Sequence, residues 1–306
     1  YWGFFLNNRV SVQVVSGIDE KPVIDAEVTL MRNETVIARA KTNNHGVAEL
    51  FLDLLQSNTS VDYSKLILGV NGINYQTAVK PYSEGVNKLA IVETTTFNRL
   101  EIAFMVDATG SMGDELEYLK TELLDVIDRV KAQQTNRVIY TGAVFYRDKD
   151  DEYVSKISNF TDNIQKTNDF IKQQSAAGGG DFPEAVHTAL EKSVDELQWS
   201  DNSRARILFL LLDAPPHYEQ NVLKSIYNSV AKAQAKGVRM IPITASGIDK
   251  ETEFLMRFLA ISTNGTYVFI TNHSGIGNEH LEPSVGEYQV EFLNDLMVRL
   301  IHQYSE

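Results

Sequence analysis

The chain has 306 residues, 43% of them hydrophobic and 23% charged, ordinary proportions for a globular protein and a length comfortable for two domains. A formal charge of −13 argues against general binding to nucleic acid or anionic membrane, which draws on clustered Lys and Arg, and suits a cation instead. Because there is no cysteine, thiolate metal sites, disulfides and a cysteine nucleophile are excluded, and oxygen ligands or histidine must carry any metal.

The chain opens at Tyr1 rather than Met, and no uninterrupted apolar stretch approaches the roughly 20 residues that cross a bilayer. A soluble, processed or trimmed segment is expected. From Arg9 to about Glu93 the pattern is short β segments: Val10–Val15, Ala26–Leu30 and Ala48–Leu52 alternate apolar with polar residues. Turn chemistry separates them at Ser16–Pro22 and Asn43–Gly46, and no helix-length periodic segment intervenes. This predicts a small all-β sandwich over residues 1–95. The succession of a strand, Lys-Pro-Val-Ile-Asp-Ala-Glu-Val-Thr-Leu and Ala-Lys-Thr-Asn-Asn-His-Gly-Val-Ala resembles the carboxypeptidase regulatory-like (transthyretin-like) sandwich of extracellular proteins. The resemblance implies a spacer or stabilising module and a secreted or cell-surface location.

A polar joint, Glu93–Asn98, precedes the second domain, residues 96–306, in which strand and helix alternate. Leu100–Val106 is a nearly unbroken apolar run that reads as a strand buried on both faces. An amphipathic helix follows, with Leu116, Leu119, Leu123, Leu124, Ile127 and Val130 on its inner face. Arg137–Phe145 is a second strand, with Tyr153–Ile157 as an edge strand across a hairpin. Helices are expected over Asp162–Gln174, Pro183–Leu197, Val222–Ala235, Lys250–Ser262 and Tyr288–Gln303, and strands over Ile207–Leu212, Arg239–Thr244 and Tyr267–Ile270. The alternation predicts an α/β fold: a doubly wound, mostly parallel sheet with helices on both faces.

Where the first of these strands ends, Asp107-Ala-Thr109-Gly-Ser111 offers three oxygen side chains at alternate positions, and Gly110 and Gly113 let the backbone turn tightly. One reading is a helix-capping turn of Asp, Thr and Ser. The other is a ligand crevice at the carboxyl end of a parallel sheet, where loops from neighbouring strands converge and supply hard oxygen donors for Mg²⁺, Mn²⁺ or Ca²⁺. In this arrangement the region from about 98 to 306 resembles a von Willebrand factor type A domain, whose Asp-x-Ser-x-Ser signature forms a metal-ion-dependent adhesion site. Here Thr109 stands in place of the first Ser and keeps the hydroxyl. The family's second contribution, a Thr after a Gly-rich turn, falls in Gly178–Glu184, where Asp181 occupies the matching position, either as an additional ligand or as a helix cap ahead of Pro183. The third, an Asp ending the fourth strand, matches Asp213.

The resemblance implies one divalent cation, Mg²⁺ first with Ca²⁺ or Mn²⁺ as alternatives. Thr109 and Ser111 would bind it directly, Asp107 and Asp213 largely through water, and a carboxylate from a protein partner would take the open position. Asp107 is also expected to fix the turn by accepting backbone N–H groups. Arg147 and Asp148 leave the second strand beside this site, to brace its loops or steer partners, while Asp150, Asp151 and Glu152 read as a solvated acidic hairpin. His217, His273 and His280 lie in loops, and a general-base role for them is the weaker reading; His187 reads as packing within a helix. The chain is therefore expected to be a non-enzymatic, metal-dependent protein-binding or adhesion module. Its rivals are an accessory subunit docking a motor ATPase through the same site, and a metal-dependent hydrolase. In related domains the last helix moves when the metal's ligands rearrange; the spacing of Phe292, Leu293, Leu296, Met297 and Leu300 is equally that of ordinary packing.

Overall fold

The computed structural model describes residues 2–56, 60–92, 97–134, 136–180, 183–244, 248–269 and 291–306, with the side chains of residues 114–115, 118–119 and 122–124 outside that description. The sequence alternation of the first third becomes strands β1 (Asn8–Ser16), β2 (Glu27–Arg32), β3 (Thr35–Lys41), β4 (Val47–Leu52), β5 (Leu66–Val70), β6 (Ile73–Tyr75) and β7 (Asn87–Ile91). They form a three-stranded sheet of order β4-β1-β7, with β1 antiparallel to β4 and parallel to β7, and an antiparallel four-stranded sheet of order β3-β2-β5-β6. Val10, Val12 and Val14 of one sheet share a core with Val28, Leu30 and Leu68 of the other, because period-two alternation turns each set to one face. The joint expected near residue 95 falls among residues 93–96, outside the described residues.

The remainder follows the order β8 (Arg99–Asp107), α1 (Gly113–Gln133), β9 (Val138–Tyr146), β10 (Ser155–Thr161), α2 (Ile164–Lys172), α3 (Val186–Asp195), β11 (Ala205–Leu212), α4 (Gln220–Lys236), β12 (Val238–Thr244), α5 (Lys250–Ser262), β13 (Val268–Phe269) and α6 (Leu293–Ser305). Its sheet has the order β10-β9-β8-β11-β12-β13, and every pairing is parallel except that of β10 with β9. Both sheet faces are buried. Ile102, Phe104, Ile207 and Phe209 face α1, α2 and α6, whereas Met105, Leu208, Leu210 and Leu212 face α3, α4 and α5. This is the doubly wound α/β fold expected from the alternation of elements, and it explains why β8 and β11 are apolar at consecutive positions. Numbered from β8, the strand order reverses between β8 and β11, so the chains leaving these two strands diverge and open a crevice at their carboxyl ends.

Most element ends fall within one or two residues of expectation, and three differences have an identifiable structural setting. Helix α3 begins at Val186 rather than Pro183, because Glu184 is drawn into a parallel bridge with Pro216 and donates its N–H to Pro215 O at 2.9 Å. Strand β10 starts two residues late and runs on to Thr161 past an irregular register. Helix α6 covers Leu293–Ser305, leaving Phe292 as an exposed capping residue and not a member of the inner face, while residues 288–290 lie outside the described residues. Of the inner-face positions expected on α1, Leu116, Ile127 and Val130 are buried; the side chains of Leu119, Leu123 and Leu124 lie outside those described.

The β region and the α/β body meet through a buried ion pair. Arg206 at the start of β11 donates Nη1 to Asp25 Oδ1 at 2.6 Å and Nη2 to Asp25 Oδ2 at 3.0 Å, with both side chains 2% exposed. Asp25 Oδ2 also accepts from the Ser203 N–H at 2.9 Å and from Lys41 Nζ at 3.3 Å. On the far side of Arg206 lies Glu101, the single acid of the first apolar run; fully buried, it accepts from the Ser200 N–H and hydroxyl at 3.0 and 2.9 Å and from Arg99 Nε at 2.9 Å. Breaking a buried pair from one side strands the other charge. Asp25 has a φ of 64°, a left-handed conformation that Asn adopts as readily, so Asp25→Asn isolates the charge from the backbone. We expect this substitution to lower stability by about 3 kcal/mol, read as a lower urea midpoint at unchanged slope.

Candidate functional site

Strand β8 ends in Asp107, which is fully buried because both faces of the sheet are covered up to that residue. Its Oδ1 accepts the Thr109 N–H at 2.8 Å and the Thr109 hydroxyl at 2.6 Å, so the carboxylate itself folds the turn, as expected from the sequence. The Thr109 side chain in turn accepts no backbone N–H of the following helical turn, and α1 starts without a side-chain cap. The helix-capping reading of Asp-x-Thr-x-Ser therefore does not describe this turn. Thr109 Oγ1 lies 3.5 Å from Ser111 Oγ, and Ser111 is exposed. The other carboxylate oxygen, Asp107 Oδ2, is buried with no hydrogen-bond partner.

Three more chain segments close on this turn. The register that pairs Val106 with Leu211 sets Asp107 and Asp213 at the ends of adjacent parallel strands. Asp213 is 9% exposed, and its Oδ1 is also without a hydrogen-bond partner. The Gly-rich segment lies against the turn, with the Ala177 N–H donating to Ala108 O at 3.0 Å and the Gly110 N–H to Gly178 O at 3.2 Å. Gly178 and Gly179 have φ of +80° and +73°, and a Cβ on Gly178 would fall 2.1 Å from Asp151 Oδ1. Asp181, the expected fourth contributor, lies outside the described residues.

Glu184 just beyond it joins the site, a role the sequence reading missed. It is buried, its Oε2 has no partner, and its Oε1 and the Thr109 side chain both flank Gly179, 3.0 and 3.1 Å from where a Cβ on that residue would sit. The Pro that follows Phe182 suggested only a helix start; the signal was there in the spacing, an acid three residues after the Asp of the Gly-rich turn.

The β9–β10 loop braces these segments. Arg147 donates Nε to Ala108 O at 3.2 Å and Nη2 to Ser175 O at 2.7 Å, tying the Asp107 turn to the Gly-rich loop, and its guanidinium lies 4.5 Å from the centre of the Tyr153 ring. Asp151, expected in a solvated hairpin, instead accepts the Asp148 N–H at 3.0 Å and the Gly179 N–H at 3.1 Å; Asp150 and Glu152 are exposed. His217 Nε2 donates to buried Asp148 Oδ1 at 2.9 Å, so this imidazole is committed to joining two loops. His187 sits half-buried on α3, with Nε2 3.3 Å from the Thr188 hydroxyl. His273 and His280 lie outside the described residues.

The electrostatic result is a crevice with too many carboxylates. Burial pushes the Asp107 carboxyl up to about 7; the Thr109 hydroxyl and amide pull it back, and the nearby Asp213 charge adds to the rise. Glu184 is pushed up to about 8, first by burial and then by Asp107, Asp148, Asp151 and Asp213. Burial likewise raises Asp213, partly offset by the Ser111 hydroxyl. The hydroxyl of Tyr146, at the end of β9, is buried beside these acids, and burial together with the charges of Asp107, Asp213 and Glu184 keeps it protonated. Among the described residues no three acid or imidazole side chains gather closely enough to hold an ion by themselves, so any ion must also draw on hydroxyls or water. Two unpartnered carboxylate oxygens beside the Thr109 and Ser111 hydroxyls are a donor set of that kind, all oxygen, and fit a hard divalent cation.

Carboxyls raised in the folded state hold protons that the unfolded chain releases, so they stabilise the fold at low pH and lose that contribution as pH climbs through their folded values. For cation-free protein this predicts a melting temperature that falls between pH 4.5 and pH 8, the range set by Asp107 and Glu184. Asp107→Asn flattens the fall, and thermal scans at several pH values in the presence of a chelator check it.

Comparison with known proteins agrees with the fold. Residues 101–276 match the family described as von Willebrand factor A domain. The chain is 34% identical over 122 residues to a putative ariadne-like RING finger protein of Acanthamoeba polyphaga mimivirus, covering 40% of this chain and 12% of that protein. Over 124 residues it is 27% identical to alpha-protein kinase vwkA of Dictyostelium discoideum, covering 39% of this chain and 19% of the kinase. The aligned stretch is thus less than a fifth of either relative's length. With more than half of its residues inside the matched segment and the strand order described above, the chain belongs to the von Willebrand factor A domain family.

Proposed function

We propose that this protein is a non-enzymatic recognition module that holds one divalent cation at the carboxyl ends of β8 and β11 and binds a partner protein through an Asp or Glu that completes the cation's coordination. The observation that carries the reading is the pair of buried, unpartnered oxygens, Asp107 Oδ2 and Asp213 Oδ1, beside the hydroxyls of Thr109 and Ser111. Leaving such atoms unpaired costs free energy that a cation offsets. In this reading Thr109 and Ser111 are the direct ligands, Asp107 and Asp213 act through bound water, and Glu184 supplies further negative charge beside them. Mg²⁺ is the first choice because its octahedral shell retains waters that buried carboxylates can receive. Extra carboxylates lower the residual charge on the ion, so a partner carboxylate would bind less tightly than at a site without them.

The N-terminal β region would serve as a rigid spacer. A protein-interaction role is what the family supports. The names of the two relatives, a RING finger protein and a kinase, favour the second reading: a recognition module that brings targets to a larger enzyme or assembly. In either case the surface at work is the same.

Calorimetric titration of Mg²⁺, Ca²⁺ and Mn²⁺ into chelator-treated protein tests the cation. We expect one saturable site, abolished in Asp107→Ala and Asp213→Ala. Because bound metal displaces protons from the raised acids, affinity should climb with pH up to about 8, by up to tenfold per unit for each proton released. Asp181→Ala should either weaken binding, as a ligand would, or leave it unchanged, as a cap would. If no divalent ion binds at millimolar concentration, the cation-mediated mechanism is wrong.

A further inference from the structure

We propose that Trp2 is a positioning residue for the candidate site, acting through Tyr218 on the loop that carries Asp213; the proposal rests on the cation reading above for its effect on binding. Trp2 lies far outside the family-matched segment, yet it is 2% exposed and belongs to the apolar cluster beneath α4 and α5, not to the core of the β region. Its indole N–H donates to Glu251 O, at the start of α5, at 2.6 Å. Its ring meets Tyr218 edge to face at 5.6 Å. Two residues on, Phe4 stacks on Phe258 of α5 at 4.3 Å and 9°, and the Phe5 N–H donates to Leu54 O at 2.8 Å. Residues 2–5 therefore form a strap fixed at one end to the β region and at the other to the loop after β11.

That loop, residues 213–219, needs outside support. It includes two prolines, which donate no backbone hydrogen bonds, and its contacts come from elsewhere: Pro215 O receives Glu184, His217 reaches Asp148, and Tyr218 meets Trp2. Glu184 and Asp148 hold the middle of the loop, and Trp2 holds its far end. Asp213 is at the near end. A loop held at three points presents the Asp213 carboxylate in one place, and preorganisation of that kind raises affinity by lowering the ordering cost of binding. The strap thus makes the β region part of the site's support.

The chain has two tryptophans, Trp2 and Trp199, so a Trp199→Phe protein reports on Trp2 alone. Trp199 packs edge to face on Phe160 and donates to Ser193 O, away from the loop, and Phe keeps its ring contact. Titrating this full chain with Mg²⁺ should change Trp2 emission with the midpoint that calorimetry gives, and Tyr218→Ala in the same background should abolish the change while heat is still released. Trp2→Ala should weaken Mg²⁺ binding about tenfold, the scale of one aromatic contact and one hydrogen bond, with partial recovery in Trp2→Phe. Saturable Mg²⁺ binding with constant Trp2 emission and unchanged affinity in Trp2→Ala would overturn the proposal. If no cation binds, the functional reading fails by itself, and hydrogen exchange decides the positioning role. Amides of residues 213–219 should exchange faster in Trp2→Ala, or in Tyr218→Ala where Trp2→Ala does not fold; unaltered exchange sinks it.

Discussion

A carboxylate buried at the end of a strand and satisfied on only one side is the constraint on which this structure turns. Asp107 uses one oxygen to hold Thr109 and leaves the other without a partner. An apolar residue there would remove the cost and the turn together, since the Thr109 amide and hydroxyl would lose their acceptor. What surrounds Asp107 deepens the imbalance, because Asp213 and Glu184 bring more negative charge into the same crevice. Such a site lowers its energy by taking up protons, as the raised Asp107 and Glu184 carboxyls do, and the proposed cation would relieve the same imbalance in their place.

The sheet decides where the imbalance sits. With the strand order reversing between β8 and β11, the connections after these strands leave in opposite directions, α1 to one face and α4 to the other. The gap between them is filled by the loops after α2 and β9. Arg147 is the residue that joins the pieces: its charge is spent on the carbonyls of Ala108 and Ser175, and it makes only a long 3.5 Å contact with the exposed Glu152. A guanidinium placed this way fixes two loops without neutralising the acids they carry.

The opposite end of the sheet is closed by charge as well. Arg206 is shared between Asp25 of the β region and Glu101 of β8, with Lys41 and Arg99 at the two ends of the network. Nearby, Asn44 donates to Gln303 O at 2.9 Å and Arg239 to Tyr304 O at 3.2 Å, satisfying carbonyls at the end of α6 that the helix leaves open. Burial lowers the Arg239 guanidinium to about 10, and its place at the helix's negative end offsets part of that cost. The β region therefore grips the body at its base through ions and reaches its upper loops through the aromatic strap.

Some of this was written locally and some was not. Asp107, Thr109, Ser111 and Asp213 are legible in the sequence because each follows directly from an apolar strand whose end is marked by turn residues; the doubly wound fold is legible because the helical and strand periods alternate. Glu184 was read only as a helix start. Asp151 was read as solvent-facing, and neither its bond to Gly179 nor the bond between His217 and Asp148 could be seen, since these depend on how closely separate loops approach. Asp25 with Arg206 is separated by 181 residues and Trp2 with Tyr218 by 216, and nothing in the periodicity of either segment marks its partner. Sequence by itself determined the elements, their order and the oxygen-rich turn, because those rest on local backbone preference and hydrophobic period. Only the tertiary structure decided which acids share the crevice and what holds its loops, because burial and charge coupling exist only once distant segments exclude water together.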